Sequence, residues 1–279
     1  MRWDKMRESN NVEDRRGMGG GGVKLGLGGI AVVVVIGLLM GKSPMEILGM
    51  VSQVQQPAPA VQQSAPAAAN DPSRQFAARV LGDTEDTWTT LFSQAGGQYQ
   101  PPRLVLFRDA VQSACGQASS AVGPFYCPGD SQVYLDLGFF DEMAQRYKAG
   151  GDFAAAYVIA HEVGHHVQNL LGVSEKVHAA RARLGEAAGN ALSVKQELQA
   201  DCLAGVWGHY AQRRGLLEQG DLEEALTAAN AIGDDTLQRS AGRQVVPDSF
   251  THGSSEQRMT WFRRGFDSGQ IKSCDTFAS

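Results

Sequence analysis

The spacing of apolar positions changes period along this chain. RLVLF at 103–107 and QVYLD at 132–136 are short runs rich in branched and aromatic residues and bounded by turn formers. They read as strands. Elsewhere the spacing is helical. DPSRQFAARVLG opens a helix with Asp71 as N-cap and Pro72 at the first helical position, and another helix is expected over 84–95. Helical patterns then cover 138–148, 152–171, 174–189, 193–214, 221–232 and 254–266. Strands early and helices late predict an α+β fold, helix-rich with a small sheet.

Residues 25–41, LGLGGIAVVVVIGLLMG, follow neither pattern: they carry no charge and lie between Lys24 and Lys42. As a helix the run is about 26 Å long, slightly short of a hydrocarbon core of roughly 30 Å, and snorkelling lysines cover the difference. Lys42 and Pro44 follow at once, and APA at 58–60 lies well downstream, so the run reads as an uncleaved transmembrane anchor rather than a signal peptide. Arg2, Lys5, Arg7, Arg15, Arg16 and Lys24 precede it and predict a cytoplasmic tail over 1–24, with the rest exported to the periplasmic or extracellular face. MGGGG at 18–22 reads as a flexible joint. The Gln/Ala/Pro tract within 42–70 has too little apolar surface to order itself and predicts a linker. One domain of ordinary size remains, from residue 71 to 279.

Composition narrows the function. A net charge of −5 gives no basic footprint for nucleic acid. The four cysteines are too few for a disulfide mini-scaffold, but an exported domain would meet an oxidising environment. Cys115 and Cys127 flank a turn-rich stretch and suit a local disulfide.

The chemistry lies in AAAYVIAHEVGHHVQNLLG at 154–172, a soft apolar helix interrupted by His161, Glu162, His165 and His166. HEVGH matches H-E-x-x-H. On a helix His161 and His165 stand one turn apart, so their ring nitrogens can converge on one Zn2+. Glu162 is turned by about 100° from His161, beside the metal rather than on it, which suits a general base. Paired histidines on a solvated face are the bland alternative, and the apolar flanks oppose it. Catalytic zinc commonly takes three protein ligands, and Gln168 and Leu171 exclude the extended motif with a glycine and a third histidine. Carboxylates, His178, His209 and His252 remain as candidates. In QELQAD, Glu197 and Asp201 are one turn apart, so Glu197 can complete the ligand set while Asp201 orients a ligand imidazole.

With these residues in place, the chain resembles the bacterial neutral zinc metallopeptidases, membrane-anchored proteins similar to gluzincins. The resemblance extends from MRWDKMRESNNVEDRRG through GPFYCPGDSQVYLDLGFF, AYVIAHEVGHHVQNLLG and QELQADCLAGVW to PDSFTHGSSEQRMTWFRRGF. It implies a zincin-like domain, a zinc cofactor, peptide or protein substrates and peptide-bond hydrolysis. It also implies His161, His165 and Glu197 as ligands, Glu162 as the base and Asp201 as the orienting acid. A second electrophile is expected at His252; alternatively, His252 is incidental in a loop where Ser254 or Ser255 caps the next helix. Tyr134 in QVYLD is the candidate substrate contact on an edge strand, or else a core residue of an interior strand. His166 points to a supporting or surface role, and Cys202 fits a structural cysteine paired with Cys274. Two rival functions use the same residues: a non-catalytic membrane-tethered scaffold stabilised by zinc, and a zinc hydrolase of cell-wall amide bonds.

Overall fold

The computed structural model describes residues 1–17 and 71–278. The predicted anchor at 25–41 and the tract at 42–70 lie outside the described residues. Among the described residues, no helix is long and apolar enough to cross a membrane. Met1–Asp14 and the described chain from residue 71 onward form one compact unit.

This unit runs β1 (Val12–Asp14), α1 (Pro72–Gln94), β2 (Arg103–Phe107), the hairpin β3 (Ala110–Ser113) and β4 (Gly116–Ser119), β5 (Phe125–Cys127) and β6 (Gln132–Asp136). The helical half follows: α2 (Gly138–Arg146), α3 (Asp152–Leu170), α4 (Val173–Arg181), α5 (Glu186–Arg213), α6 (Asp221–Ala231), α7 (Asp234–Ser240) and α8 (Ser255–Ser268). The α+β class is as expected, and both predicted strands form. The helices expected at 72 and 84–95 are one, and 174–189 is interrupted after Arg181.

The main sheet is ordered β1-β2-β6-β5, with β2 parallel to both β1 and β6, and β5 antiparallel to β6. Strand alternation divides its side chains between two cores. Leu104, Leu106, Val133 and Leu135 face the helices, while Val105, Phe107 and Tyr134 join Val111 and Cys127 on the far side. A Cys115–Cys127 disulfide ties the hairpin to β5. The helical layer centres on α3, whose Phe153–Ala160 stretch is buried all round, as expected of an interior helix.

The amino-terminal leader is built into this unit. Its strand Val12–Asp14 is an edge of the sheet, Met6 is buried, and Ser9 donates its backbone N–H to Ala78 O at 3.0 Å. Glu85 gathers Arg7, Ser9 and Asn11 at 2.6–2.8 Å. Gly82 is required where the leader crosses α1, since a Cβ there would stand 2.5 Å from the Arg7 carbonyl oxygen. Residues 1–14 of the leader, read as part of a tail over 1–24, thus pack in the same unit as the domain.

Candidate active site

Helix α3 carries His161, Glu162 and His165, and α5 crosses it carrying Glu197 and Asp201. The crossing is close because Gly164 has no side chain: a Cβ there would lie 2.9 Å from the Ala200 carbonyl oxygen. This contact sets the spacing of the two rows. His161 Nε2 is 3.1 Å from Glu197 Oε2, and His165 Nε2 is 3.4 Å from Glu197 Oε1. Tetrahedral Zn2+ with bonds of 2.0–2.1 Å needs its ligand atoms about 3.3 Å apart. One ligand atom from each of these three residues lies within 4.8 Å of the others, so the group fits that ion.

Charge supports the same fit. Glu162, Glu197 and Asp201 are three carboxylates and Arg258, bonded to Asp201, is a guanidinium, so these four groups together carry −2 when the imidazoles are neutral; Glu142, Arg146 and Arg181 also line the cavity. A divalent cation balances those four groups. Burial alone would pull the His161 imidazolium down, but Asp201 and Glu197 outweigh it and hold the ring up at about 10. His165 is raised too, with Glu197 outweighing burial. Conversely, burial pushes Glu197 up, but His165 and His161 bring it well below the usual carboxylate range.

Supporting groups fix both rings. Asp201 Oδ1 takes the His161 Nδ1 hydrogen at 2.8 Å, leaving Nε2 for a metal. Asp201 also accepts from Tyr157 Oη at 2.6 Å and from Arg258 Nε and Nη2 at 2.9 Å each. Arg258 arrives on α8, which meets α5 at two glycines; a Cβ on Gly265 would overlap the Cys202 carbonyl. Arg258, more than His161, brings the Asp201 carboxyl down to about 2 against the upward push of burial.

A cavity of about 660 Å3 opens onto this group, lined by Glu162, Phe125, Tyr126, His252 and residues of α2. His252 thus sits at the site, held by Asp234, whose Oδ2 accepts the His252 backbone N–H at 2.7 Å and whose Oδ1 is 3.3 Å from Nδ1. The following helix is capped by Ser254, with Gln257 closing the capping box.

Tyr134 is elsewhere. Strand β6 is interior, and Tyr134 is buried on the sheet face away from α3, stacked on Phe125 and donating to Asp130 at 2.7 Å. Of the two readings of Tyr134, its position matches the core residue of an interior strand; β5 is the edge strand beside β6, and Phe125 and Tyr126 line the cavity. Helix α3 grips β5 through His166 and Asn169, both within 3.1 Å of Tyr126 Oη. His166 donates from Nε2 to the Gln100 carbonyl at 2.7 Å, so it is a buried brace between segments. Cys202 is bonded to Cys274. His178 lies apart from the cavity group, and His209 binds the Phe266 carbonyl.

Arg258, Gln168, Asp234 and Tyr157 are site residues that the sequence reading passed over. Arg258 had a signal: Phe262, Gly265 and Phe266 are buried at helical spacing from it, so it is a charge inside an apolar stripe and needs a counter-ion.

Two imidazoles and a carboxylate leaving room for a fourth ligand make up the donor set of a zinc centre open to a reactant. The chain belongs to the family described as "Putative neutral zinc metallopeptidase", whose sequence model matches residues 1–277. It is 50% identical over 286 residues to the uncharacterized protein YpfJ of Escherichia coli K12, covering 99% of both chains. It is 44% identical over 192 residues to the uncharacterized proteins Mb2605 of Mycobacterium bovis and Rv2575 of Mycobacterium tuberculosis, covering 65% of this chain and 64% of theirs. No solved structure matches.

Proposed function

We propose that the protein is a zinc-dependent peptidase in which His161, His165 and Glu197 hold the metal. Glu162 beside that group, in a cavity bordered by an outer strand, is the observation that carries the reading. Zinc bound there supplies a Lewis acid for the scissile carbonyl and lowers the pKa of water. An extended peptide adds to the outer edge of β5 by main-chain hydrogen bonds, with Phe125 and Tyr126 beneath it. Glu162 takes a proton from the attacking water and returns it to the leaving amine. Asp201 and Arg258 hold the His161 ring in its ligating tautomer. His252 donates to the carbonyl oxygen as charge develops there.

The full chain tests this against a quenched fluorescent peptide library with and without chelator. Cleavage that chelator removes and zinc restores is expected. Zinc binding without cleavage would favour the scaffold reading, and turnover of cell-wall amides alone would favour the other rival.

His252 gives the reaction a pH signature. The hydrogen bond to Asp234 raises its pKa against the effect of burial, with Glu197 supporting the charge and Arg258 opposing it. The protonated ring is the better donor, so kcat/KM falls as pH rises through that raised value. His252→Ala is expected to lower kcat by about 100-fold. In Asp234→Asn the alkaline limb moves to lower pH; a pH–rate profile unchanged in both variants would remove His252 from the mechanism.

Location is part of the same proposal. Leader and domain share one compartment, and two disulfides favour an oxidising one. Asn10→Cys and Leu184→Cys, both at exposed positions, report on this in intact cells. A membrane-impermeant maleimide should label both; labelling of only one would contradict the shared compartment.

A further inference from the structure

A chain of hydrogen bonds runs from the carboxy-terminal tail to one of the ligand imidazoles, through two glutamines that the motif does not contain. His165 Nδ1 lies 2.9 Å from Gln168 Oε1. Gln168 Nε2 donates to the Gln196 carbonyl at 2.7 Å and to Gln199 Oε1 at 3.0 Å. Gln199 Nε2 donates in turn to the Cys274 carbonyl at 3.0 Å. Gln168 is wholly buried.

The direction of every bond follows from its ends. A backbone carbonyl only accepts, so the Gln196 and Cys274 oxygens must each face an amide NH2. Turning the Gln168 amide over would set its oxygen against the Gln196 oxygen and against Gln199 Oε1. Both hydrogens of Gln168 Nε2 are thus committed, and only Oε1 is left for His165. His165 must then carry its proton on Nδ1, which frees Nε2 for a metal. Asp201 does the same for His161 with a charge; Gln168 does it for His165 without one.

We infer that Gln168 is a positioning residue for His165, and that Gln199 and the tail carbonyl of Cys274 hold it in its ligating orientation. The tail is itself anchored, since Cys274 is bonded to Cys202 on α5 and Thr276 Oγ1 donates to the Lys195 carbonyl at 2.6 Å. A neutral amide suits the place. A carboxylate at 168 would face the Gln196 carbonyl and the Gln199 oxygen with no donor of its own. The inference rests on the zinc reading above and extends it to the partner that sets the second imidazole.

Gln168→Met keeps the length and removes both the acceptor and the donors. Zinc affinity of the full chain, measured by competition with a chromogenic chelator, is expected to fall about 10- to 100-fold. Gln199→Met, at a half-buried position that tolerates change better, should weaken zinc in the same direction by a smaller factor. The cobalt-loaded wild type should show two exchangeable, hyperfine-shifted ring N–H resonances, one from each ligand histidine. Gln168→Met should lose the His165 signal and keep that of His161, which a general loss of packing would not do. If Gln168→Met fails to fold, Gln199→Met decides: weakened zinc supports the relay and unchanged affinity overturns it. Wild-type zinc affinity and both N–H signals retained in Gln168→Met would also overturn it. A wild type that binds no zinc would instead defeat the underlying metal reading.

Discussion

Glu162→Gln is expected to cut peptide hydrolysis by about 100- to 10,000-fold while leaving zinc in place. The side chain is 7% exposed and lines the cavity beside the ligand group, but the metal-ligand set is complete without it. Glutamine fills the same volume and can still hydrogen-bond to water, yet it cannot accept the proton. Zinc content per chain should stay near that of the wild type, whereas His161→Ala should lose the metal. The comparison therefore separates the base from the ligands. Turnover within tenfold of wild type, with zinc bound, would show that Glu162 is not the base.

Arg258→Met is expected to destabilise the fold by about 3–5 kcal/mol, the effect of removing one partner from a buried ion pair. Asp201 is wholly buried and takes two bonds from Arg258, so the variant leaves a carboxylate with only Tyr157 and His161 as donors. The pH dependence follows by linkage. Asp201 is held at about 2, below its unfolded value, so its ion pair stabilises the fold above the unfolded value of about 3.9. That contribution is lost as pH falls towards about 2. The difference between variant and wild type should thus be largest near neutrality and shrink below pH of about 4. Denaturant melts at several pH values, with chelator present, measure it. A uniform small loss would mean that Asp201 does not depend on Arg258.

What the sequence revealed depended on how near in the chain the partners lie. RLVLF and QVYLD were legible because apolar strands need no partner to be recognised, and H-E-x-x-H was legible because its geometry is set within one helical turn. Glu197 and Asp201 stood out for the same reason. Strand β1 was illegible: it is three residues long, half-buried, and pairs with a strand some ninety positions later. Helix α1 looked like two because Gly82, Asp83 and Glu85 interrupt its apolar pattern. Each answers a distant group: Gly82 the Arg7 carbonyl, Asp83 the Trp207 and Arg214 side chains, Glu85 the leader. Arg258, Gln168 and Asp234 escaped likewise, since their roles exist only once α8, α5 and the tail have assembled. Tyr134 stayed between two readings because strand order, and hence which strand lies at an edge, is not written in local alternation.

Three side chains and one ion are at the centre of this mechanism. Crystals of the full chain grown with zinc, and measured on both sides of the zinc absorption edge, test it most directly. One anomalous peak is expected, bounded by Nε2 of His161, Nε2 of His165 and a carboxylate oxygen of Glu197. Saturating zinc with no peak there, or a peak from which Glu197 is turned away, would contradict it.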